Sequence, residues 1–180
     1  MSIFEERESS IRAYSRMFPV VFSSAKNARQ TDENGKEYID FFAGAGVLNF
    51  GHNNERMIQA MIDYMQKDGV LHSLDMQTSA KANFMQRFTD VILAPRNMPH
   101  RMQFMGPTGT NAVEAAMKLA RRATGRHQIV AFSHGFHGMT LGALAATANQ
   151  YFRGASGVPL LHVSHEPFGC ETRCVGCEAD

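Results

Sequence analysis

Apolar positions along this chain follow two periods that alternate. Between residues 55 and 67, Met57, Ile58, Met61, Ile62 and Met65 recur every three or four positions, which predicts a helix, with Gly69 placed as its stop. Residues 77–92 repeat the pattern with Phe84, Phe88, Val91 and Ile92 on one face, closed by Pro95. A shorter amphipathic helix is expected over 5–16, with Ile11 and Tyr14 as docking residues. Between and after these lie short apolar runs of strand length: Phe18 to Phe22, Tyr38 to Phe42, Met102 to Met105, Gln128 to Phe132 and Leu160 to Val163. Asn34-Gly35 suits a type I′ hairpin turn before the second of these runs. The alanine-rich stretch 110–124, ending at Gly125, reads as another helix, and 139–147 as a small-residue helix. Strands alternating with helices predict an α/β fold with a largely parallel or mixed sheet. No internal repeat or low-complexity segment interrupts the pattern.

Composition changes this picture little. The chain has 180 residues, 44% of them apolar, enough for one packed domain or for a large part of a bigger one. A formal net charge of +1 carries no electrostatic footprint for nucleic acid. No apolar run approaches bilayer-spanning length. The first residues, Met1 to Glu8, are charged and contain no signal-peptide core, so a cytoplasmic location is expected. The 12 methionines read as core filler.

The candidate chemistry begins where the run Met102 to Met105 meets Gly106-Pro107-Thr108-Gly109-Thr110. A glycine turn opening a long helix aims free N–H groups and the positive end of the helix dipole at one point, as a phosphate site does. Gly109 and Thr110 would supply backbone donors and Thr108 or Thr110 a hydroxyl. The spacing fits neither a P-loop nor the Gly-x-Gly-x-x-Gly dinucleotide turn, and a plain structural turn is an equal reading. One strand further on stands Gly135-Phe136-His137-Gly138. An aromatic between two glycines could stack on a flat ring with His137 beside it; the other reading is a core Phe and a loop His.

Together these segments resemble the class III (ω-amino) aminotransferases. The resemblance rests on Thr108 to Ala116, on Gly135 to Gly138 and, upstream, on Asn34 to Phe41 and Gly51-His52-Asn53. Arg12 to Arg16, Phe18 to Phe22, Gly44 to Asn54 and Gly106 to Asn111 are similar, more narrowly, to the 2,4-diaminobutyrate–2-oxoglutarate aminotransferases of that family. It covers roughly residues 5–168 and implies the type I fold of pyridoxal 5′-phosphate (PLP) enzymes. The chain would supply an N-terminal segment, residues 1–54, with part of the small domain and the active-site entrance. Residues 55–180 would be the first, incomplete part of the large domain and its mixed, mostly parallel sheet with flanking helices. The implied reaction interconverts L-2,4-diaminobutyrate and aspartate-4-semialdehyde, with glutamate and 2-oxoglutarate as amino partners, for ectoine or siderophore synthesis. The alternatives are another class III ω-aminotransferase, of ornithine or 4-aminobutyrate type, or a non-catalytic zinc-binding remnant that uses cysteine and histidine.

The resemblance also implies residue roles. Thr108, Gly109 and Thr110 would bind the cofactor phosphate, Phe136 would stack on its ring, His137 would line the pocket and Gly138 would leave it room. Gly44, Ala45, Gly46 and Val47 would lie at the substrate entrance. The family is dimeric. Its Schiff-base lysine and the aspartate that holds the pyridine nitrogen are expected beyond Asp180, so these 180 residues alone are expected to be inactive, either as a fragment or as a truncated product. Lys26, Lys36, Lys67 and Lys81 are expected at the surface and Lys118 in mid-helix.

Cys170, Cys174 and Cys177, all in the last eleven residues, are an odd set that argues against a disulfide framework. Their Cys-x3-Cys-x2-Cys spacing admits zinc, with His162 or His165 as fourth ligand, or an iron–sulfur cluster. The preferred reading is an exposed loop with free thiols and no metal, zinc coming second and a cluster last.

Overall fold

Asp32 organises the first part of the fold. Its Oδ1 accepts the N–H groups of Asn34 and Lys36, both at 2.9 Å, while the Gly35 N–H bonds the Asp32 carbonyl at 3.0 Å. The four-residue turn so formed joins β2 (Arg29–Asp32) to β3 (Glu37–Ile39), and β1 (Phe22–Lys26) completes an antiparallel sheet in the order β1–β2–β3. Gly35 has φ 82° while Asn34 stays outside the positive region, so the expected type I′ turn is not formed. That turn needs both central residues positive, and the Asp32 carboxylate stabilises a longer one. The Phe18, Phe22 and Tyr38 rings cluster beside the sheet, Phe22 meeting Tyr38 edge-on at 5.4 Å.

This computed structural model describes residues 2–9 and 18–168, and the chain divides into two units between Leu71 and His72. The N-terminal helix expected over 5–16 is α1, Ile3–Arg7. A capping box between Ser2 and Glu5 starts it earlier than apolar spacing suggested, and extended backbone at Glu8 ends it; residues 10–17 lie outside the described residues. In the same unit, α2 (Glu55–Gln66) is capped by Asn54. It ends with bonds from the Asp68 N–H to the Met65 carbonyl and from the Gly69 N–H to the Tyr64 carbonyl, both 3.1 Å. This is a Schellman ending whose left-handed residue is Asp68, φ 54°, one position before the glycine expected there. The apolar stripe of α2 stays exposed, Met61 at 62%.

The second unit opens with α3 (Ser79–Phe88), capped by Thr78. The rod continues through a π-turn at Thr89–Leu93 and a 3₁₀ turn at Ala94–Arg96, so Pro95 lies inside it rather than after it. Proline has no N–H to give the carbonyl four residues back. The Arg96 guanidinium bonds that carbonyl of Val91 at 3.3 Å and its neighbour Ile92 at 2.9 Å. Residues 101–105, expected as a strand, form no strand and pair with none among the described residues. Then come α4 (Gly109–Thr124), ended as expected by Gly125 at φ 69°, β4 (Ile129–Phe132), α5 (Leu141–Ala146), α6 (Gln150–Arg153) and β5 (Val163–Glu166). β5 runs parallel to β4 with Ile129 opposite Val163, three residues beyond the start of the expected strand at Leu160. The buried core of this unit gathers around α5, in Ala143 to Ala146, with Met117 and Ala131.

Candidate functional site

The site is built on the first turn of α4. Thr108, in extended conformation, is its N-cap: the hydroxyl accepts the Asn111 N–H at 3.3 Å and donates to Asn111 Oδ1 at 2.6 Å. The Thr108 hydroxyl, one of the two offered for phosphate, is thus engaged in the cap. The Gly109 and Thr110 N–H groups have no protein acceptor among the described residues, and the space around Gly109 is open, with nothing beyond its chain neighbours and its own helix backbone within 4 Å of where a side chain would begin. Two outward N–H groups at the positive end of a sixteen-residue helix can hold a dianion.

The second wall is the loop 135–139. Met139 donates its N–H to Thr110 Oγ1 at 3.2 Å. Gly138, at φ 133°, lies so close to Thr110 that a Cβ there would meet Thr110 Oγ1 at 1.4 Å. Glycine is therefore a steric requirement of the contact between the walls. Phe136 is 56% exposed and meets Phe152 edge-on at 5.5 Å, so it is not the core residue of the alternative reading. The half-buried His137 packs over Gly135.

Three residues that periodicity did not single out fix this geometry. Thr147 is fully buried; its Oγ1 accepts the N–H groups of His137 at 3.0 Å and Gly138 at 3.3 Å and donates to the carbonyls of Gly138 and Ala143, both 3.1 Å away. Arg153 donates to the carbonyls of Ala145 at 2.6 Å and Thr147 at 3.0 Å, closing the end of α5. Glu114 accepts the Thr140 hydroxyl and the Ala143 N–H at 3.0 Å. The Thr140 bond, followed by those from Ala143 and Gly142 and the charge of Arg121, holds the Glu114 carboxyl below its ordinary range, against partial burial that raises it. The sequence held one usable signal: Thr110, Glu114, Met117 and Arg121 fall on one face of α4.

Gly44, Ala45, Gly46 and Val47 belong to the first unit. Ala43 through Gly46 all have positive φ, from 48° to 94°, making a left-handed turn in which two alanines share the bend expected of the glycines. Asp40 Oδ1 accepts the N–H groups of Phe42 at 2.8 Å and Ala43 at 2.9 Å, and Oδ2 pairs with His52 Nε2 at 2.7 Å. The Ala43 N–H, then His52 and the Phe42 N–H, hold the Asp40 carboxyl below its usual range, against a partial opposing effect of burial. Val47 is 81% exposed.

Elsewhere the structure assigns plainer roles. Lys81, expected at the surface, donates to the carbonyls of Ser73, Leu74 and Met76 and lies over the Phe104 ring, tying down the loop before α3. Lys26 pairs with Glu55 at 2.7 Å. His165 bonds the Ala146 carbonyl and His162 lies near His127. No group of three or more His, Cys, Asp or Glu residues arranged for a metal occurs among the described residues; Cys170, Cys174 and Cys177 lie outside them.

The sequence pattern of the family described as aminotransferase class-III matches residues 10–175. The chain belongs to that family. It is 54% identical over 168 residues to the diaminobutyrate–2-oxoglutarate transaminase of Halalkalibacterium halodurans and 56% identical over 167 residues to that of Halomonas elongata. These alignments take in 93% and 92% of the chain but 39% and 40% of the relatives, so the chain spans about two-fifths of their length. An amine transaminase from an uncultivated Pseudomonas species, solved in its PLP-bound form, superposes with a TM-score of 0.72 at 21% identity over 89% of this chain and 37% of its own. The ω-transaminase of Pseudomonas jessenii in complex with PMP gives 0.73 at 18% identity, over 98% and 42%. The fold is thus that of the type I PLP-dependent transaminases, an α/β arrangement in which β4–β5 is parallel and β1–β2–β3 antiparallel. No helix among the described residues is long and apolar enough to cross a membrane.

Proposed function

We propose that this chain is part of a PLP-dependent transaminase that exchanges an amino group between L-2,4-diaminobutyrate and 2-oxoglutarate, giving aspartate-4-semialdehyde and glutamate reversibly. The observation that carries this reading is 53–56% identity, over more than nine-tenths of the chain, to relatives named for that activity. The open first turn of α4 supports it, because the residues present fit the cofactor. PLP, when bound, supplies the electron sink for transamination. The Gly109 and Thr110 N–H groups and the dipole of α4 hold its phosphate, with Thr108 shaping the cap; Phe136 covers the ring, His137 lines the pocket and Gly138 keeps it clear. Gly44 to Val47 form the substrate entrance.

The lysine and the acid that the chemistry requires belong to the length of the relatives that this chain does not span, so the 180 residues alone do not turn over. The proposed domain division is residues 1–54 as the entrance segment and 55–180 as the first part of the cofactor domain. The working enzyme is a cytoplasmic homodimer whose product feeds ectoine or siderophore synthesis. The test is glutamate formation by the full-length protein with PLP and 2-oxoglutarate, comparing L-2,4-diaminobutyrate, ornithine and 4-aminobutyrate as donors. Preference for diaminobutyrate supports the reading; preference for another donor overturns the substrate, and no turnover with any donor overturns the reaction.

A further inference from the structure

We propose that Glu114 is a positioning residue for the cofactor site, clamping α5 against α4 so that the two walls of the site stay in contact. The inference rests on the reading that PLP binds between Thr108–Thr110 and Phe136–Gly138. Glu114 sits on α4 one helical turn after Thr110 and bonds Thr140, the residue that follows the 135–139 loop. It acts at the start of α5, whose first turn it holds through the Thr140 hydroxyl and the Ala143 N–H. The other end of α5 runs into Thr147, which holds the His137 and Gly138 N–H groups of the loop. The helix is therefore a strut, fixed to α4 by Glu114 at one end and to the ring-covering loop by Thr147 at the other.

Two glycines are kept clear for side chains of α4. A Cβ on Gly142 would meet Glu114 Oε2 at 2.3 Å, as one on Gly138 would meet Thr110 Oγ1 at 1.4 Å. Four residues of α4 apart, Thr110 and Glu114 thus grip the loop and the strut through matching glycine notches. Without the carboxylate, the first turn of α5 loses its partner on α4, and the Thr110–Gly138 approach is left to the Thr110 hydroxyl, which accepts the Met139 N–H at 3.2 Å and donates to the His137 carbonyl at 3.5 Å.

The test uses the full-length protein titrated with PLP, followed by the absorbance of bound cofactor, beside thermal unfolding of the cofactor-free form. Glu114→Ala is expected to weaken PLP about tenfold or more, the effect of losing one or two charge-assisted bonds. Glu114→Gln, whose amide oxygen still accepts from Thr140 and Ala143, is expected to recover most of that affinity. Ala120→Gly, exposed on α4, destabilises the same helix without touching α5 and should leave PLP affinity unchanged. Wild-type affinity in Glu114→Ala, or an equal loss in Ala120→Gly at the same fall in Tm, overturns the proposal. If Glu114→Ala does not fold, Thr140→Val removes the same hydrogen bond and carries the same expectation. Gly109→Pro separates the two readings. If it leaves PLP binding untouched, the cofactor is not at this site; if it weakens PLP while the Glu114 variants do not, the site stands and only the positioning role falls.

Discussion

Replacing Gly138 by alanine puts the contact between α4 and the 135–139 loop under direct strain. At φ 133° the backbone lies where L side chains are rarely found, a cost of about 1–3 kcal/mol. The new methyl would stand 1.4 Å from Thr110 Oγ1, 2.7 Å from Thr110 Cβ and 3.2 Å from Ala143 Cβ. A short branched side chain on the first turn of a helix, its hydroxyl tied to Met139, cannot swing aside, so backbone must move; overpacking of this kind costs about 1–3 kcal/mol more. The expected destabilisation is therefore roughly 2–6 kcal/mol. Urea unfolding of the full-length protein, Gly138→Ala, Thr110→Gly and the double variant forms a cycle that isolates the steric part. Thr110→Gly removes both atoms nearer than 3 Å, so the double variant should be more stable than the sum of the singles by about 1–3 kcal/mol, with the backbone cost remaining. An additive cycle, or a Gly138→Ala protein within about 0.5 kcal/mol of the parent, refutes the close approach.

Thr147→Val keeps the shape of a fully buried residue but strips two N–H groups of their acceptor, for about 2–4 kcal/mol in urea unfolding, while Thr147→Ser should lose far less. Asp68→Gly relieves a left-handed residue at the end of α2 and should raise Tm, by about 0.5–1 kcal/mol of stability; an unchanged or lower Tm contradicts the Schellman geometry. The Asp40 carboxyl titrates lower in the folded protein than its ordinary 3.8. Its stabilisation of the Gly44–Val47 turn is thus complete above that value and lost as pH falls through the lower folded one. Amide exchange at Phe42 and Ala43 should accelerate only in that acid range, and an Asp40→Asn protein should lack that acid-dependent step.

How far the sequence could be read depended on whether each signal was local. Gly125 ends α4 where the sequence places its stop, because a left-handed stop acts within a turn, whereas the helix starts at Gly109 rather than at residue 110 because Thr108, read as a phosphate hydroxyl, is its cap. The run at 101–105 has strand chemistry, but a strand needs a partner, and none lies among the described residues. β5 begins at Val163 rather than Leu160 because its register is set against Ile129, which no local pattern encodes. The Asn34-Gly35 turn departs from its local signal for a different reason: a carboxylate two residues upstream competes with the intrinsic preference of the pair. At the site, Gly109, Thr110, Phe136 and Gly138 were legible as a motif. Thr147 and Glu114 were not, since their partners lie 9 and 26 residues away in sequence and meet them only when α5 packs on α4.

The phosphate site proposed at the start of α4 is tested most directly by removing one of its N–H groups while leaving the helix whole. Gly109 is the first residue of α4, its surroundings are open, and Thr108 before it is extended at φ −121° and ψ 156°, the conformation a following proline demands. Gly109→Pro therefore deletes one N–H group without breaking the helix. Binding of PLP and of pyridoxal, which has no phosphate, should be compared in the full-length parent and variant at matched Tm. PLP binding is expected to weaken by about tenfold or more, the worth of one charge-assisted hydrogen bond, with pyridoxal unaffected. Equal PLP affinity in the two proteins, or a parallel loss for PLP and pyridoxal, would contradict a phosphate site at the start of α4.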